Sequence, residues 1–302
     1  MKTVRTSAAV REDLSRVRSS GARIGFVPTM GALHEGHASL VRMARERAGY
    51  VVASIFVNPK QFAPREDLVR YPRNEARDAE ILAELGCDLL FVPSDRDMYS
   101  TNDRTRIDIV GLSDVLCGLS RPGHFQGVAL VVAKLFNIVQ PDEAFFGQKD
   151  AQQAVIIQRM VADLDFPIRI TIGPTIREED GLAMSSRNSY LDETERKRAP
   201  ALFAALGEAK SLIADGERRA ETIRKAIRAV MEDAGFAVEY AAVVDGRSLT
   251  PLELIEGTVL IAAAGRLGKM RLIDNIALDV TPGSIREVVL EFPEWSRYEF
   301  TP

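Results

Sequence analysis

Two of the three histidines of the chain lie three residues apart in the stretch VPTMGALHEGHASL, residues 27–40. His34 and His37 are flanked by Gly31 and Gly36 and directly follow an apolar run. Three kinds of site are compatible with this spacing: a pair of metal ligands, a helix start with incidental imidazoles, or a cradle for phosphate. The free N–H groups and the dipole of a helix N-terminus attract anions.

The residues around the pair decide among these alternatives. A metal site needs further ligands, and the third histidine, His124, lies in RPGHF with no ligand-like spacing. The two glycines are spaced as in a P-loop, but His37 and Ala38 stand where lysine and a hydroxyl residue are required. The stretch therefore predicts an anion-binding helix start whose imidazoles bond phosphoryl oxygens.

Three other polar clusters also follow predicted strands. They are NPKQF at 58–62, FFGQKD at 145–150 and EDGLAMSSRN at 179–188. Ligands of open parallel sheets bind beyond the carboxyl ends of the strands. We therefore expect all four clusters to meet on one rim.

The elements that position these clusters change in kind along the chain. Apolar and β-branched runs at 23–27, 50–57, 88–92, 144–146 and 168–172 alternate with helical patterns, which indicates a parallel sheet covered on both faces. After Arg187, two helical patterns precede three apolar runs, which favours an antiparallel sheet. The prediction is an α/β fold: a Rossmann-like, doubly wound parallel sheet in residues 1–175, followed by a smaller α+β domain in 176–302.

Composition argues against two classes of partner. The formal net charge of the 302 residues is -4, so we expect no basic surface for nucleic acid. The apolar runs are shorter than the roughly 20 residues that cross a bilayer, so we expect no membrane partner. Cys87 and Cys117 have neither a metal nor a redox spacing. With a charged N-terminus that lacks an apolar segment, they predict a cytoplasmic protein with reduced thiols.

The motifs together resemble a known family. HEGH is an instance of the H-x-G-H signature of the nucleotidyltransferase superfamily, and MSSRN resembles its second signature, a mobile loop related to KMSKS that grips the triphosphate. With NPxQF, RYPR, RPGHFxGV and FGQKD, the chain resembles the pantoate–β-alanine ligase family from about residue 23 to 191, and more weakly beyond. That family condenses pantoate with β-alanine through a pantoyl-adenylate and releases AMP from ATP.

The resemblance implies a role for individual residues of this sequence. It places the following residues in the ATP site: Met30, Gly31, Ala32, Leu33, His34, Glu35, Gly36, His37, Gly147, Gln148, Lys149, Asp150, Ile176, Met184, Ser185, Ser186 and Arg187. The catalytic group within them is His34, His37, Lys149, Ser186 and Arg187. The residues implied for substrate binding are Asn58, Gln61, Tyr71 and Gln153.

Several of these roles are more specific. The resemblance implies that His37 donates a proton, that Asp150 accepts from ribose hydroxyls and that Ile176 packs at the adenine. Lys149 supplies a point charge for phosphate. Each residue type also has a plainer interpretation: Gln153 as an exposed helical glutamine, Ser185 as a helix cap and Asn58 as a turn residue.

One position departs from the family pattern. Family members often carry an acid just before the aspartate that follows YPR, whereas this chain has Arg77 before Asp78. Magnesium is expected with ATP, because it binds phosphates together with one or two carboxylates, and Asp78 is the predicted protein ligand. The resemblance also implies a homodimer.

Other activities remain open alternatives. Another H-x-G-H nucleotidyltransferase, such as an adenylyltransferase, would keep the nucleotide on its product, whereas NPKQF and the late α+β domain favour the ligase. No basic or anticodon-reading domain is apparent for a tRNA synthetase. A regulatory module with degraded catalysis is disfavoured by the presence of His34, His37, Lys149 and Ser186.

Overall fold

The structure is a computed structural model that describes residues 1–62, 68 and 71–295. Arg70 of the RYPR motif and the end of the predicted second domain, 296–302, lie outside the described residues. No helix in the described part of the chain is long and apolar enough to cross a membrane.

The first part of the chain forms a six-stranded parallel sheet, as predicted. Its strands are β1 (Lys2–Val4), β2 (Ile24–Thr29), β3 (Tyr50–Ile55), β4 (Leu89–Phe91), β5 (Glu143–Gly147) and β6 (Arg169–Gly173). They are ordered β1-β4-β3-β2-β5-β6. The order reverses between β2 and β5, so the connections after these two strands meet at the carboxyl edge where such folds bind ligands. The sequence pattern did not predict β1, whose three residues pair with β4 at the sheet edge.

Helices connect and cover these strands. They are α1 (Ser7–Ser19), α2 (Glu35–Arg47), α3 (Glu75–Glu84), α4 (Asp95–Met98), α5 (Cys117–Ser120), α6 (His124–Val139) and α7 (Ala151–Asp163). Helix α6 is apolar almost all round and belongs to the main core. A Cβ atom at Gly127 of α6 would meet the Lys60 carbonyl oxygen at 2.2 Å. Glycine therefore allows α6 to pack directly on the 3₁₀ helix Pro59–Gln61, which carries the NPKQF motif.

The later part of the chain forms the predicted antiparallel sheet. Its helices are α8 (Glu193–Arg198), α9 (Ala201–Ala214) and α10 (Ala220–Asp233), and its strands are β7 (Ala237–Asp245), β8 (Gly257–Leu267), β9 (Met270–Thr281) and β10 (Ser284–Glu287). The strand order is β10-β9-β8-β7. Helices α9 and α10 lay apolar residues such as Leu206 and Ile227 on this sheet and form a second core.

The two sheets are joined by shared apolar packing. The parallel sheet ends at Gly173, close to the predicted boundary at residue 175, which stays a prediction. Leu260 and Ala277 of the antiparallel sheet belong to the same core cluster as the parallel sheet. Residues 288–295 then run back over the first domain and bury Leu290 and Phe292 there. We call residues 288–295 the C-terminal strap.

Candidate active site

His34 and His37 begin helix α2. His34 is the N-cap residue, and its Nδ1 atom accepts a hydrogen bond from the backbone N–H of Gly36 at 3.2 Å. The Nδ1 atom of His37 accepts one from the backbone N–H of His34 at 3.4 Å. The two ring centroids lie 4.2 Å apart. Both imidazoles are thus tied to the first turn of the helix through one nitrogen each.

The surroundings keep both rings neutral. Burial and the adjacent His34 lower the pKa of His37 to about 3, with Lys149 acting in the same direction and Asp150 against it. Burial and then Lys149 also lower the pKa of His34. A neutral imidazole that accepts at Nδ1 carries its proton on Nε2. Each ring therefore offers an Nε2–H donor, which suits a phosphoryl oxygen.

The loop between β2 and α2 is held by a buried carboxylate. Gly31 and Ala32 have φ angles of +81° and +52°, a left-handed conformation that glycine adopts readily. The two oxygens of Asp78, which is 2 % exposed, accept the backbone N–H groups of Ala32 and Leu33, each at 2.8 Å. The Thr29 hydroxyl accepts the N–H of Gly31 at 3.1 Å. This geometry fits Asp78 as a loop anchor better than as a magnesium ligand.

The NPKQF motif forms a closed set of hydrogen bonds. Asn58 is 1 % exposed, and its Nδ2 group donates to Gln61 Oε1 at 3.0 Å and to the Gly127 carbonyl at 3.1 Å. Its Oδ1 atom accepts from the Lys60 N–H at 3.2 Å and from the Tyr99 hydroxyl at 2.7 Å. Asn58 is therefore more than a turn residue, because it holds the side chain of Gln61.

Charged groups gather where β5 runs into α7. Desolvation raises the pKa of the Asp150 carboxyl, but the charges of Lys149, Arg187 and Arg121, with His124 acting in the same direction, hold it below its usual value. Lys149 also lowers the pKa of both histidines. The connections after β2 and β5 therefore lie close together, as expected for two neighbouring strands. The cluster is predominantly positive, which suits a polyanionic ligand.

Backbone hydrogen bonds hold the start of the MSSR segment in place. The Met184 N–H donates to the Ile176 carbonyl at 2.9 Å, and Glu178 and Leu182 are paired in the same hairpin. Ser185 caps the short 3₁₀ helix Ser186–Tyr190 by accepting from the Arg187 N–H at 3.2 Å. Burial raises the pKa of Tyr71, and the nearby Ser186 side chain opposes that shift. This interaction brings the MSSR segment close to Tyr71.

A cavity of about 760 Å³ lies between the rim of the parallel sheet and the antiparallel sheet. The predicted site residues that line it are Tyr71, Lys149, Asp150, Gln153, Ser185 and Arg187. Gln153 is half-buried in this wall, so it is not an exposed helical glutamine. His34 and His37 do not line this cavity, but Lys149 and Asp150, which do, lie close enough to shift the pKa values of both histidines.

Two predicted ATP residues direct their side chains elsewhere. Gln148 is 5 % exposed, donates to Asn275 Oδ1 at 3.2 Å and accepts from the Leu290 N–H at 3.0 Å. It connects the β5–α7 segment to the antiparallel sheet and to the C-terminal strap. Glu35 forms an ion pair with Arg42 on the exposed side of α2.

The structure adds residues that the sequence did not assign. His124 contacts the Gln61 carbonyl oxygen through Nδ1 at 2.8 Å and Arg121 through Nε2 at 2.9 Å. The RPGHF motif marked this loop, but its partner in NPKQF was not apparent. Arg177 forms a largely buried ion pair at 2.6 Å with Asp274, which lines the cavity. Burial raises the pKa of Asp274, and Arg177 opposes that shift.

The next feature is the arrangement of side chains that could bind a metal ion. Among the residues that the structure describes, no group of three or more His, Cys, Asp or Glu side chains is arranged to hold a metal ion. Cys87 and Cys117 are both buried free thiols.

Comparison with known proteins identifies the family. A family model described as pantoate-beta-alanine ligase matches residues 2–277. The chain belongs to the pantoate–β-alanine ligase family. A curated pantothenate synthetase of Moorella thermoacetica is 51% identical over 281 residues, which are 93% of this chain and 99% of that protein. One from Pseudomonas savastanoi pv. phaseolicola is 50% identical over 92% of this chain and 99% of its own length.

Solved structures of the family share the fold of this ligase. The crystal structure of pantothenate synthetase from Thermus thermophilus superposes with a TM-score of 0.87 at 45% identity, covering 91% of this chain and 98% of that one. The pantoate-beta-alanine ligase of Francisella tularensis, complexed with beta-gamma ATP and beta-alanine, gives a TM-score of 0.74 at 34% identity, covering 91% and 97%. The expected family, fold class and enzyme class are confirmed.

Proposed function

We propose that this ligase makes pantothenate from pantoate and β-alanine in two steps at the cavity. The pantoate carboxylate attacks the α-phosphorus of ATP and displaces pyrophosphate, which leaves a pantoyl-adenylate. The β-alanine amine then attacks the acyl carbon, and AMP leaves as the amide forms. The observation that carries this proposal is the helix start of α2, where two neutral imidazoles present Nε2–H donors beside Lys149.

The first step needs stabilisation of negative charge on the α-phosphate. Preorganised donors stabilise developing charge without reorganising during the reaction. His34 and His37 are such donors, because their Nδ1 atoms are already bonded to backbone N–H groups. Because the His37 ring is neutral, its Nε2–H would donate a hydrogen bond to the phosphate and keep its proton. Lys149 and Arg187 would neutralise charge on the departing pyrophosphate, and the Ser186 hydroxyl would donate a hydrogen bond to it.

The nucleotide is assigned to the segments that flank these donors. Residues 30–37 would line the phosphates and contact them through the Nε2–H groups of His34 and His37, because most backbone N–H groups of this loop are already bonded within the protein. Asp150 would accept from the ribose hydroxyls, and Ile176 and Met184 would pack at the base. The 2.9 Å bond between the Met184 N–H and the Ile176 carbonyl supports that pairing. Gly147, without a side chain beside β6, leaves room for the nucleotide to approach the sheet.

Pantoate is assigned to Gln61 and Gln153, with Asn58 and Tyr71 shaping the pocket. Gln153 and Tyr71 line the cavity. Asn58 is saturated by hydrogen bonds within the protein, so it acts by holding Gln61. The amine of β-alanine would approach the acyl carbon from the cavity.

Three further assignments belong to this proposal. Magnesium would accompany ATP chiefly through its phosphates, since both oxygens of Asp78 already accept backbone N–H groups, and no step above depends on the metal. A homodimer follows from the family expectation. The cytoplasm is proposed as the compartment, and two buried free thiols support it.

A substrate-omission experiment tests the function. Purified protein is incubated with ATP and magnesium alone, then with pantoate added, then with β-alanine as well, while pyrophosphate and AMP are measured. We expect pantoate-dependent pyrophosphate and free AMP only when β-alanine is present. A stable nucleotidylated product instead of free AMP would favour an adenylyltransferase and overturn the proposal.

A further inference from the structure

The orientation of the Asn58 carboxamide is determined by groups that have a single hydrogen-bonding role. The Lys60 backbone N–H can only donate, and it contacts Oδ1 at 3.2 Å. The Gly127 carbonyl oxygen can only accept, and it contacts Nδ2 at 3.1 Å. These two contacts fix which end of Asn58 is oxygen and which is nitrogen.

The Tyr99 hydroxyl completes the set of bonds at Asn58. It donates to Oδ1 at 2.7 Å, so the oxygen accepts two hydrogen bonds and Nδ2 donates two. An amide oxygen has two lone pairs and an amide nitrogen two protons, so the side chain of Asn58 is fully satisfied. Its bond to Gln61 is therefore made by a group with no alternative partner.

That bond determines what Gln61 offers to a ligand. Its Oε1 atom accepts from Asn58 Nδ2 at 3.0 Å, which turns its Nε2 group toward Met30. Within the described part of the chain, Nε2 has one acceptor, the Met30 sulfur at 3.1 Å, and a thioether is a weak acceptor. Gln61 therefore presents an N–H donor on the side of Met30, at the start of the loop between β2 and α2, whereas the residue type alone would allow either role.

The ring of Tyr99 is held from several sides. It packs against Phe56 with the ring centroids 6.2 Å apart. The ammonium groups of Lys60 and Lys134 lie 4.3 Å and 5.5 Å from its centroid, within cation–π range. The hydroxyl is thus aimed at Asn58 by contacts that do not depend on the hydroxyl itself. Replacement by phenylalanine should leave the ring in place.

From these contacts we infer that Tyr99 is a positioning residue for pantoate recognition. Through Asn58, its hydroxyl keeps the carboxamide of Gln61 turned so that N–H faces an acceptor oxygen of pantoate, such as a carboxylate oxygen. This inference rests on the proposed function, in which Gln61 contacts pantoate. Tyr99 lies 38 residues from Gln61 in the sequence, and its hydroxyl acts on the Gln61 side chain through Asn58.

The test compares Tyr99→Phe with Tyr50→Phe. Both variants lose one phenolic hydroxyl, but Tyr50 lies on β3, outside the hydrogen-bonded set. In pantoate-dependent pyrophosphate exchange, Tyr99→Phe should raise the KM for pantoate about tenfold, which corresponds to ~1.4 kcal/mol. The value of kcat and the KM for ATP should stay within about twofold of wild type. The reason is that the variant loses pantoate binding equally in the ground state and in the transition state. Tyr50→Phe should match wild type in all three constants.

The alternative outcomes are distinct. If wild type shows no pantoate-dependent exchange, the proposed function fails. If wild type is active and Tyr99→Phe equals Tyr50→Phe, or raises both KM values together, the positioning role of Tyr99 is overturned.

A second measurement does not depend on the folding of the Tyr99 variant. In wild-type protein labelled with 15N-glutamine, the side-chain amide signals of Gln61 are assigned by their loss in Gln61→Met. Saturating pantoate should move one of these N–H signals, because that proton becomes bonded to the substrate. Signals that stay unmoved at saturation would overturn the inference.

Discussion

The Nδ1 atom of His37 lies 3.4 Å from the backbone nitrogen of His34 and accepts its N–H. This contact leaves the proton of His37 on Nε2, the nitrogen that is not bonded to the helix. The capping bond therefore prepares His37 as a donor for an oxygen outside the helix.

Replacing His37 with alanine should slow adenylation strongly. Removal of one preorganised donor typically costs roughly 10²–10³ in rate, and we expect that range for pyrophosphate exchange. Arg42→Ala is the matched control, because Arg42 lies on the exposed side of the same helix and pairs with Glu35. If His37→Ala catalyses pyrophosphate exchange as fast as the control, His37 has only a structural role.

His37 should also make stability depend on pH. Burial lowers the pKa of the folded ring to about 3, whereas an unfolded histidine titrates near 6.5. As the pH falls from about 6.5 toward 3, the unfolded chain binds a proton that the folded state does not, so the free energy of unfolding decreases. Between pH 7 and 5 this single group accounts for at most ~2 kcal/mol. Urea denaturation at pH 7 and 5 should show a smaller decrease in the free energy of unfolding for His37→Asn than for wild type. Equal decreases would contradict a neutral, buried His37 ring.

The substitution Asp78→Asn distinguishes a role of Asp78 as loop anchor from a role as magnesium ligand. The amide retains one acceptor oxygen, so one of the N–H groups of Ala32 and Leu33 loses its partner. An unsatisfied buried group costs about 1–3 kcal/mol, and we expect the free energy of unfolding to fall by that amount without magnesium present. Glu80→Gln, on the exposed side of α3, is the control. Unchanged stability, together with activity restored by excess magnesium, would make Asp78 a metal ligand.

The C-terminal strap should be a strong contributor to stability. Gln158 donates to the Leu290 carbonyl and accepts from the Phe292 N–H, each at 2.8 Å, and Phe292 is 6 % exposed. Truncation of a buried phenylalanine to alanine typically costs about 3–5 kcal/mol. Phe292→Ala should lower the free energy of unfolding by that amount, measured in urea. Val289→Ala, at a position 37 % exposed, should change it by less than about 0.5 kcal/mol. If the two substitutions lower the free energy of unfolding by similar amounts, the packing of the strap on the first domain does not contribute to stability.

Local patterns predicted most of the fold. The strands Ile24–Thr29 and Tyr50–Ile55 are mostly apolar and almost wholly buried, because both faces of a parallel sheet are covered. The strand Lys2–Val4 has only three residues, too few for a pattern. The strap also lacked a pattern, and it lies beyond the 2–277 range of the family match.

The hydrogen-bonding roles in the site could not be predicted from the sequence. Asp78 bonds Leu33 across 45 positions, and Tyr99 bonds Asn58 across 41. Neither pairing leaves a periodic or motif signal, because only the packed sheet brings these residues together. The sequence likewise allowed Gln61 to donate or to accept, and its contact with Asn58 is what selects donation.

Isotope exchange tests the central claim most directly. Labelled pyrophosphate is incubated with the protein, ATP, magnesium and pantoate, without β-alanine. The two-step account predicts pantoate-dependent incorporation of label into ATP, since the adenylate forms and reverses before any amine is present. Exchange that strictly requires β-alanine would contradict an adenylate intermediate.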